Sequence, residues 1–198
     1  MNRILSSAAA SLVAGLAICA LILVISLFDP SLDWLGFLSF LLRWVHILGG
    51  IIWIGMIWFV NFIQFAALDE ADDAGRGLIH KLIVPRVAHT FRHAAHLTLV
   101  SGVLLLISTG YLFDRWVFSS AVYIAPMRSA LLWAGVIAGA AMWGFVQFII
   151  WPNLRIVLGS ADGAAKAAAR QRVRSFARIN LVLSIPVTFL MVAATHLF

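Results

Sequence analysis

Apolar residues gather into five runs, and each run is long enough to cross a lipid bilayer. The hydrocarbon core is about 30 Å thick, and a helix needs about 20 residues to span it. The runs cover approximately Ala8–Phe28, Leu35–Leu68, Ala94–Phe113, Ser129–Trp151 and Ile179–Phe198. We therefore predict an all-α integral membrane bundle of five transmembrane helices, forming a single domain over residues 1–198. The first run is expected to be a retained helix, because it is longer than the apolar part of a typical signal peptide.

Two further segments mix apolar and charged positions and are predicted to lie on the inner side of the membrane. Gly75–Arg92 intersperses apolar residues with His, Lys and Arg, which is typical of an interfacial helix, and Pro85 is expected to break it. Asp162–Arg178 is alanine-rich. Its cations recur every four residues, at Lys166, Arg170, Arg174 and Arg178. This spacing places them on one helix face, which is expected to contact lipid phosphates. A docking face for an acidic partner is the alternative.

The composition supports a membrane protein and sets its orientation. Hydrophobic residues make up 63% of the chain and charged residues 11%, whereas soluble domains have about half and about a quarter. Of the 14 Lys and Arg residues, only Arg43, Arg115 and Arg128 fall in outer segments. The net charge of +6 therefore reflects the positive-inside rule and not a nucleic-acid partner. We predict a bacterial inner-membrane protein with its N-terminus inside and its C-terminus outside.

The second run carries the most informative cluster of polar residues. Arg43, His46, Gly50 and Trp53 follow offsets of three, four and three residues, so they share one helix face. Histidine is a common axial ligand of haem iron. Gly49 and Gly50 would let a porphyrin approach the backbone, and Arg43 would pair with a propionate. The single cysteine, Cys19, excludes a Cys-x-x-Cys-His site for covalent haem. The alternative is that the glycines only pack helices and His46 only bonds a neighbouring helix.

Two other histidines are candidates for the second axial ligand of the iron. His196 ends the fifth run, which puts it near the outer surface at the predicted depth of His46. His96 is the fallback, although it is expected nearer the inner side. His89, His93 and His96 share a helix face and could bind a metal or a second haem, or relay protons. His89 and His93 are also explained as ordinary interfacial residues.

Polar residues inside the later runs indicate further interior features. Pro186 lies in the middle of the fifth run and is expected to kink it. Several amide side chains gather toward the inner side: Asn61, Gln64, Gln147, Asn153 and Asn180. Hydrogen bonds between helices explain them best, and a quinone pocket is the alternative.

Three segments resemble one known family. The stretch Arg43–Gly55 (RWVHILGGIIWIG) resembles the signature of the membrane domain of the bacterial cytochrome-c-linked urate oxidase (urate hydroxylase) family. Trp151-Pro152-Asn153 and the closing stretch Arg178–His196 are similar to two further segments of that family. The His46 helix is also weakly similar to the small haem-binding membrane protoporphyrinogen oxidase and to copper-resistance membrane proteins. Full-length members of the urate oxidase family carry a cytochrome c domain, and this sequence contains no Cys-x-x-Cys-His.

The resemblance implies a non-covalent haem b site that involves His46 and His196, and electron exchange with cytochrome c or another outer-side redox partner. Our interpretation is a membrane haem protein acting in redox chemistry or electron transfer, with oxidoreductase activity and the catalytic residues left open. Two other classes remain. One is a non-catalytic subunit of a larger respiratory or photosynthetic complex. The other is a metal or small-solute carrier that uses His89, His93 and His96.

Overall fold

The structure of the chain, a computed structural model, describes residues 7–111, 126–159 and 163–197. All regular secondary structure in these ranges is helical, and no strand occurs in them. The prediction of an all-α fold is confirmed. Phe113, Asp162 and Phe198, which bounded three of the predicted segments, lie outside the described residues.

The helices of the described ranges are long, and several follow one another without a break. The α-helices are α1 (Ala8–Ser26), α2 (Trp34–Trp58), α3 (Phe65–Glu70), α4 (Asp73–Leu82), α5 (Val84–Ser108), α6 (Pro126–Gly144), α7 (Trp151–Leu158) and α8 (Gly163–His196). A first π-helical segment, Phe59–Gln64, joins α2 to α3, and a second, Phe145–Ile150, joins α6 to α7.

Five helical stretches among the described residues are long and apolar enough to cross a membrane. They are Ala8–Ser26, Trp34–Glu70, Asp73–Ser108, Met127–Leu158 and Gly163–His196. The prediction of five spans is therefore confirmed, and the architecture is that of a multi-pass membrane protein. The 37 residues of the second stretch make about 55 Å of helix at 1.5 Å per residue. Because the apolar layer is about 30 Å thick, this helix extends beyond the layer or tilts within it.

Contacts divide the chain between Phe40 and Leu41 into two units. In the first unit, α1 is apolar throughout and has no buried residue, as a lipid-facing helix would be. Ser7 caps its start, because the Ser7 hydroxyl accepts the N–H of Ala10 at 3.2 Å. Asp33 caps the start of α2 by accepting the N–H groups of Leu35 and Gly36 at 3.1 and 3.0 Å.

The second unit contains the core. Its buried apolar cluster draws on α2, α5, α6, the second π segment and α8: Trp53, Ile57, Phe91, Ala94, Ala95, Met142, Val146, Ile150 and Val187. Small residues allow close helix contacts. A Cβ placed on Gly135 of α6 would lie 3.3 Å from the Leu190 Cβ of α8. The helices that carry the predicted site residues from Leu41 onward are therefore packed into this unit.

Pro85 marks a helix boundary, as the sequence predicts. Helix α4 ends at Leu82, and α5 begins at Val84 with Pro85 in its first turn, where a residue without an N–H is well tolerated. The predicted segment Gly75–Arg92 is thereby corrected. Only its first part is a separate helix, and the part after the break continues directly into the third run as α5.

The basic segment and the fifth run form one helix. Helix α8 extends unbroken from Gly163 to His196 and passes through Pro186. The sequence suggested two segments because the composition changes at Arg178, but helical hydrogen bonds form equally well on both sides of that change. Alanine favours the helix before it, and no Gly or Pro interrupts residues 164–185. The kink at Pro186 stays a prediction.

Candidate functional site

His46 lies in the contact between α2 and α5. Its Nδ1 is 2.8 Å from the backbone carbonyl oxygen of Thr98, and the Ser101 hydroxyl lies 3.5 Å from the same nitrogen. Because a carbonyl oxygen can only accept, the ring carries its proton on Nδ1 and donates it to Thr98. The other ring nitrogen, Nε2, has no hydrogen-bond partner among the described residues and keeps its lone pair. The predicted bond from His46 to a neighbouring helix is thus present.

Two glycines bring α2 and α5 together around this histidine. A Cβ on Gly102 of α5 would lie 2.8 Å from His46 Cε1, so any larger residue would push the imidazole away. A Cβ on Gly49 of α2 would lie 2.9 Å from the Thr98 hydroxyl and 3.2 Å from the Thr98 backbone nitrogen. Sequence reasoning selected Gly49 but missed Gly102. The small-residue pair Ser101-Gly102, one turn after Thr98, was the signal that could have revealed it.

Gly50 has a different environment from Gly49. No atom lies within 4 Å of a Cβ built on Gly50, and the residue is half-buried. The two adjacent glycines therefore do different things. Gly49 is needed for helix packing, whereas Gly50 leaves space on the helix face that it shares with His46.

Arg43 and Trp53 flank His46 and Gly50 on α2. Arg43 is exposed, and no hydrogen bond or ion pair joins it to another described residue. Trp53 is 4% exposed and belongs to the core cluster, with its indole N–H buried and without a hydrogen-bond partner. The predicted face thus runs from the exposed cation of Arg43 to the core tryptophan Trp53.

His96 lies on a different side of α5 from the residues that contact His46. Its Nδ1 is 2.7 Å from the Arg92 carbonyl oxygen, and its ring meets the Trp143 ring of α6 edge-on at 5.8 Å. The Gln147 amide nitrogen is 3.2 Å from the same Nδ1. His46, by contrast, contacts Thr98, Ser101 and Gly102. The structure therefore does not bring the fallback ligand His96 to His46.

His196 is exposed at the end of α8, and no described contact joins it to His46. The register of α2 against α8 nevertheless relates the two residues. Trp58 Nε1 donates to the Ser184 hydroxyl at 3.3 Å, and the Asn61 amide donates to the Ala177 carbonyl at 3.2 Å, so these helices run antiparallel. His46 is twelve residues before Trp58, and His196 is twelve residues after Ser184. The two histidines thus lie the same number of residues from the Trp58–Ser184 contact, on the same side of it, and their common depth stays a prediction.

The three histidines of α5 do not form one group. His89 and His93 are exposed, with their Nε2 atoms 3.2 Å apart, while His96 is engaged with Arg92 and α6. No group of three His, Cys, Asp or Glu side chains suited to a metal ion occurs among the described residues. A carrier site built from all three histidines finds no support in this geometry.

Several of the predicted amide side chains surround a small cavity. Its volume is about 50 Å³, and it lies between the two π segments, a kind of distortion that often occurs at functional sites. The side-chain oxygens of Asn61, Gln64 and Asn180 are buried there without a donor. An engineered cavity that binds benzene has about 150 Å³, three times this volume. The cavity as it stands suits a few water molecules better than a quinone ring, because each water needs about 10–15 Å³ of such space.

The amide side chains also make the predicted bonds between helices, in part. The Asn61 amide donates from the first π segment to α8, and the Asn180 amide donates to the Met142 carbonyl of α6 at 3.5 Å. Gln147 accepts from Arg92 Nε at 3.1 Å and so links the second π segment to α5. Asn153, however, bonds the Ile149 carbonyl on its own helical stretch.

Comparisons with known protein families, with characterised proteins and with solved structures give no match to this chain.

Proposed function

We propose that this chain is an integral membrane protein that binds one non-covalent haem b near the outer face and transfers electrons. The observation that carries the proposal is the hydrogen bond from His46 Nδ1 to the Thr98 carbonyl. Histidines that bind metals commonly donate their second N–H to an acceptor of this kind, which fixes the tautomer and the ring orientation. His46 Nε2 is then free to bind iron.

The surroundings of His46 fit a haem in two further respects. Gly50 leaves space on the same helix face, and Arg43 is exposed one turn nearer the outer end. A guanidinium at that place would pair with a propionate. His46 lines neither of the two cavities of the inner side, so the haem would lie along the half-exposed face of α2. When bound, the haem supplies a one-electron carrier, and the chain orients it.

His196 is our choice for the second axial ligand. The antiparallel register of α2 and α8 supports a common depth for His46 and His196, and His196 is exposed and without a described partner. His96 is a poorer choice, because its ring is directed toward Trp143 on α6. A site near the outer surface would exchange electrons with a soluble partner such as a cytochrome c. We propose a bacterial inner membrane as the location.

An optical spectrum of the purified protein tests this function. We expect the spectrum after dithionite, minus the spectrum before it, to be that of a b-type haem. A non-catalytic subunit or a metal carrier has no haem chromophore, so a flat difference spectrum from protein purified out of haem-supplemented cells would contradict the proposal. Extraction with acidic acetone should release the haem, because Cys19 is the only cysteine and no covalent attachment motif exists.

The proposed orientation has its own test. A reporter that is active only in the periplasm, fused after Phe198, should be active, and the same reporter fused within the 166–178 segment should be silent. The reason is the Lys/Arg asymmetry, since cationic loops stay on the cytoplasmic side. Activity in the second fusion and silence in the first would invert the topology.

A further inference from the structure

A second and larger cavity lies beside the amide cavity, at the basic end of the second unit. Its volume is about 410 Å³, within the range of ordinary ligand sites, which is about 300–1,000 Å³. The walls come from α3, α4, α7, α8, the first residue of α5 and the end of the first π segment. The haem proposal does not use this cavity, and none of its lining residues is a predicted haem ligand.

The polar part of the wall is strongly cationic. Arg76, Arg170 and Arg174 line it, against the single carboxylate Asp69. Arg174 Nη2 bonds Asp69 Oδ1 at 2.6 Å, and its guanidinium also lies 5.0 Å from the centre of the Phe65 ring. Asp69 thereby matches the charge of Arg174. Arg76 is paired with Asp73, which does not line the cavity, and Arg170 is left without an ion-pair partner among the described residues.

Arg76 and Arg170 differ in how firmly they are held. Arg76 is anchored, because its Nε donates to the Leu68 carbonyl at 3.0 Å and its Nη1 lies 3.4 Å from Asp73. Arg170 is exposed and makes no hydrogen bond or ion pair with another described residue. Arg170 and Lys166 also raise the electrostatic potential at His80, which lines the same cavity. An anion near Arg170 would therefore meet a preformed positive site.

The inner part of the wall has a different chemistry. Gln64 is 7% exposed, and its side-chain oxygen is buried without a donor. Phe65, Val84 and Leu154 surround it with apolar surface. A buried acceptor without a donor is destabilising. An occupant that supplies an O–H or N–H would relieve this cost once the Gln64 side chain, which lines both cavities, turns its oxygen toward the occupant.

We propose that this cavity binds a phosphate group that carries a glycerol hydroxyl, with the phosphate on Arg170 and Arg76 and a hydroxyl donating to Gln64. Guanidinium groups bind phosphate oxygens through paired, charge-assisted hydrogen bonds. The same chemistry occurs in the headgroup of phosphatidylglycerol and in soluble glycerol phosphate. The lipid is the expected source, because α8 carries its basic residues where the apolar run begins and lipid phosphates lie at that level.

Lipid retention by the protein in nanodiscs tests the proposed contacts to the phosphate. We expect phosphatidylglycerol, counted per protein by native mass spectrometry against phosphatidylcholine, to be retained by the unaltered chain. Arg170→Gln should weaken this retention about tenfold, the effect of one charge-assisted hydrogen bond. The matched control is Arg172→Gln, which removes the same charge from an exposed position on α8 that does not line the cavity. Equal losses in the two variants would mean general surface attraction and would overturn the site.

Two further experiments test the role of the hydroxyl and the source of the phosphate. Gln64→Met keeps the size of the side chain and removes the acceptor, so it should lower binding of phosphatidylglycerol and leave phosphatidic acid unchanged. An equal loss for both lipids would overturn the role of the hydroxyl. Glycerol 3-phosphate added to lipid-free, detergent-purified protein tests the soluble source. Binding that depends on Arg170 there would reassign the occupant to the soluble compound. No preference for either glycerophosphate over phosphatidylcholine would overturn the proposal, whatever the haem spectrum shows.

Discussion

His46→Ala is expected to abolish the haem spectrum while the protein still inserts into the membrane. The variant loses the ring nitrogen that we assign to iron, and it also loses the bond to Thr98, so a loss of haem could follow from either change. His46→Asn separates the two. An asparagine amide can occupy the position of Nδ1 and donate to the Thr98 carbonyl, but it has no equivalent of Nε2. We therefore expect His46→Asn to fold like the unaltered chain and to bind no haem, as measured by size-exclusion chromatography and the dithionite difference spectrum.

Two histidine controls make this result specific. His93→Ala removes an exposed side chain whose partner is His89, and His96→Ala removes a ring that faces α6. Both variants should keep full haem content, whereas His196→Ala should lose haem or change its spin state if His196 is the second ligand. Full haem content in His46→Asn would contradict the proposed site. It would also remove the main reason to regard the chain as a redox protein. Haem loss in His96→Ala alone would move the site to the α5–α6 contact.

The helical architecture could be predicted because bilayer thickness constrains the sequence directly. A run of about 20 apolar residues has few other uses, and the five runs correspond to five helical stretches. Helix ends were predicted less well. Arg178 marks a change from basic to apolar composition, yet α8 passes through it unbroken, because backbone hydrogen bonding inside a helix does not depend on the surrounding solvent. The change of composition therefore does not coincide with a helix end.

The candidate site was predictable only up to the choice of helix face. Offsets of three and four residues place Arg43, His46 and Gly50 together on α2, but they do not tell which neighbour that face meets. The carbonyl of Thr98 and the missing side chain of Gly102 come from the packing of α5. The direction of the His96 ring toward α6 likewise becomes visible only in the packed structure.

The π segments had no sequence signal that we could use. Two segments, Phe59–Gln64 and Phe145–Ile150, are π-helical. Their backbone hydrogen bonds span five residues, whereas those of an α-helix span four. The amides of Asn61 and Gln64 sit in the first segment, and the cavity opens between the two. The amide cluster could be recognised from its position near the inner side. Its volume of about 50 Å³, which favours water over a quinone ring, depends on how the two segments pack.

Substitutions at the adjacent glycines of α2 should have opposite effects on the free energy of unfolding. In Gly49→Ala the new Cβ would meet the Thr98 hydroxyl at 2.9 Å and the Thr98 backbone nitrogen at 3.2 Å. The hydroxyl cannot turn away freely, because it donates to the Ala94 carbonyl at 2.8 Å, so α2 and α5 must separate. We expect a destabilisation of about 1–3 kcal/mol, the usual cost of overpacking. Gly50→Ala meets no atom within 4 Å and should be neutral or stabilising by up to about 1 kcal/mol, because alanine favours a helix over glycine. Unfolding in a detergent titration measures both.

A larger residue at Gly50 tests whether haem binds to the helix face that carries His46. Gly50→Leu should leave the α2–α5 contact intact, because the side chain points into open space, and should exclude a haem from the face that carries His46. We expect folded protein with little or no haem. Gly49→Leu should reduce both folding and haem content, since the contact that positions His46 against Thr98 would be forced apart. Full haem content in a folded Gly50→Leu protein would show that the ligand does not lie on this face, even if His46 proves necessary. Equal stability of Gly49→Ala and Gly50→Ala would instead contradict the close approach of α2 and α5, and with it the geometry that leaves His46 Nε2 free to bind iron.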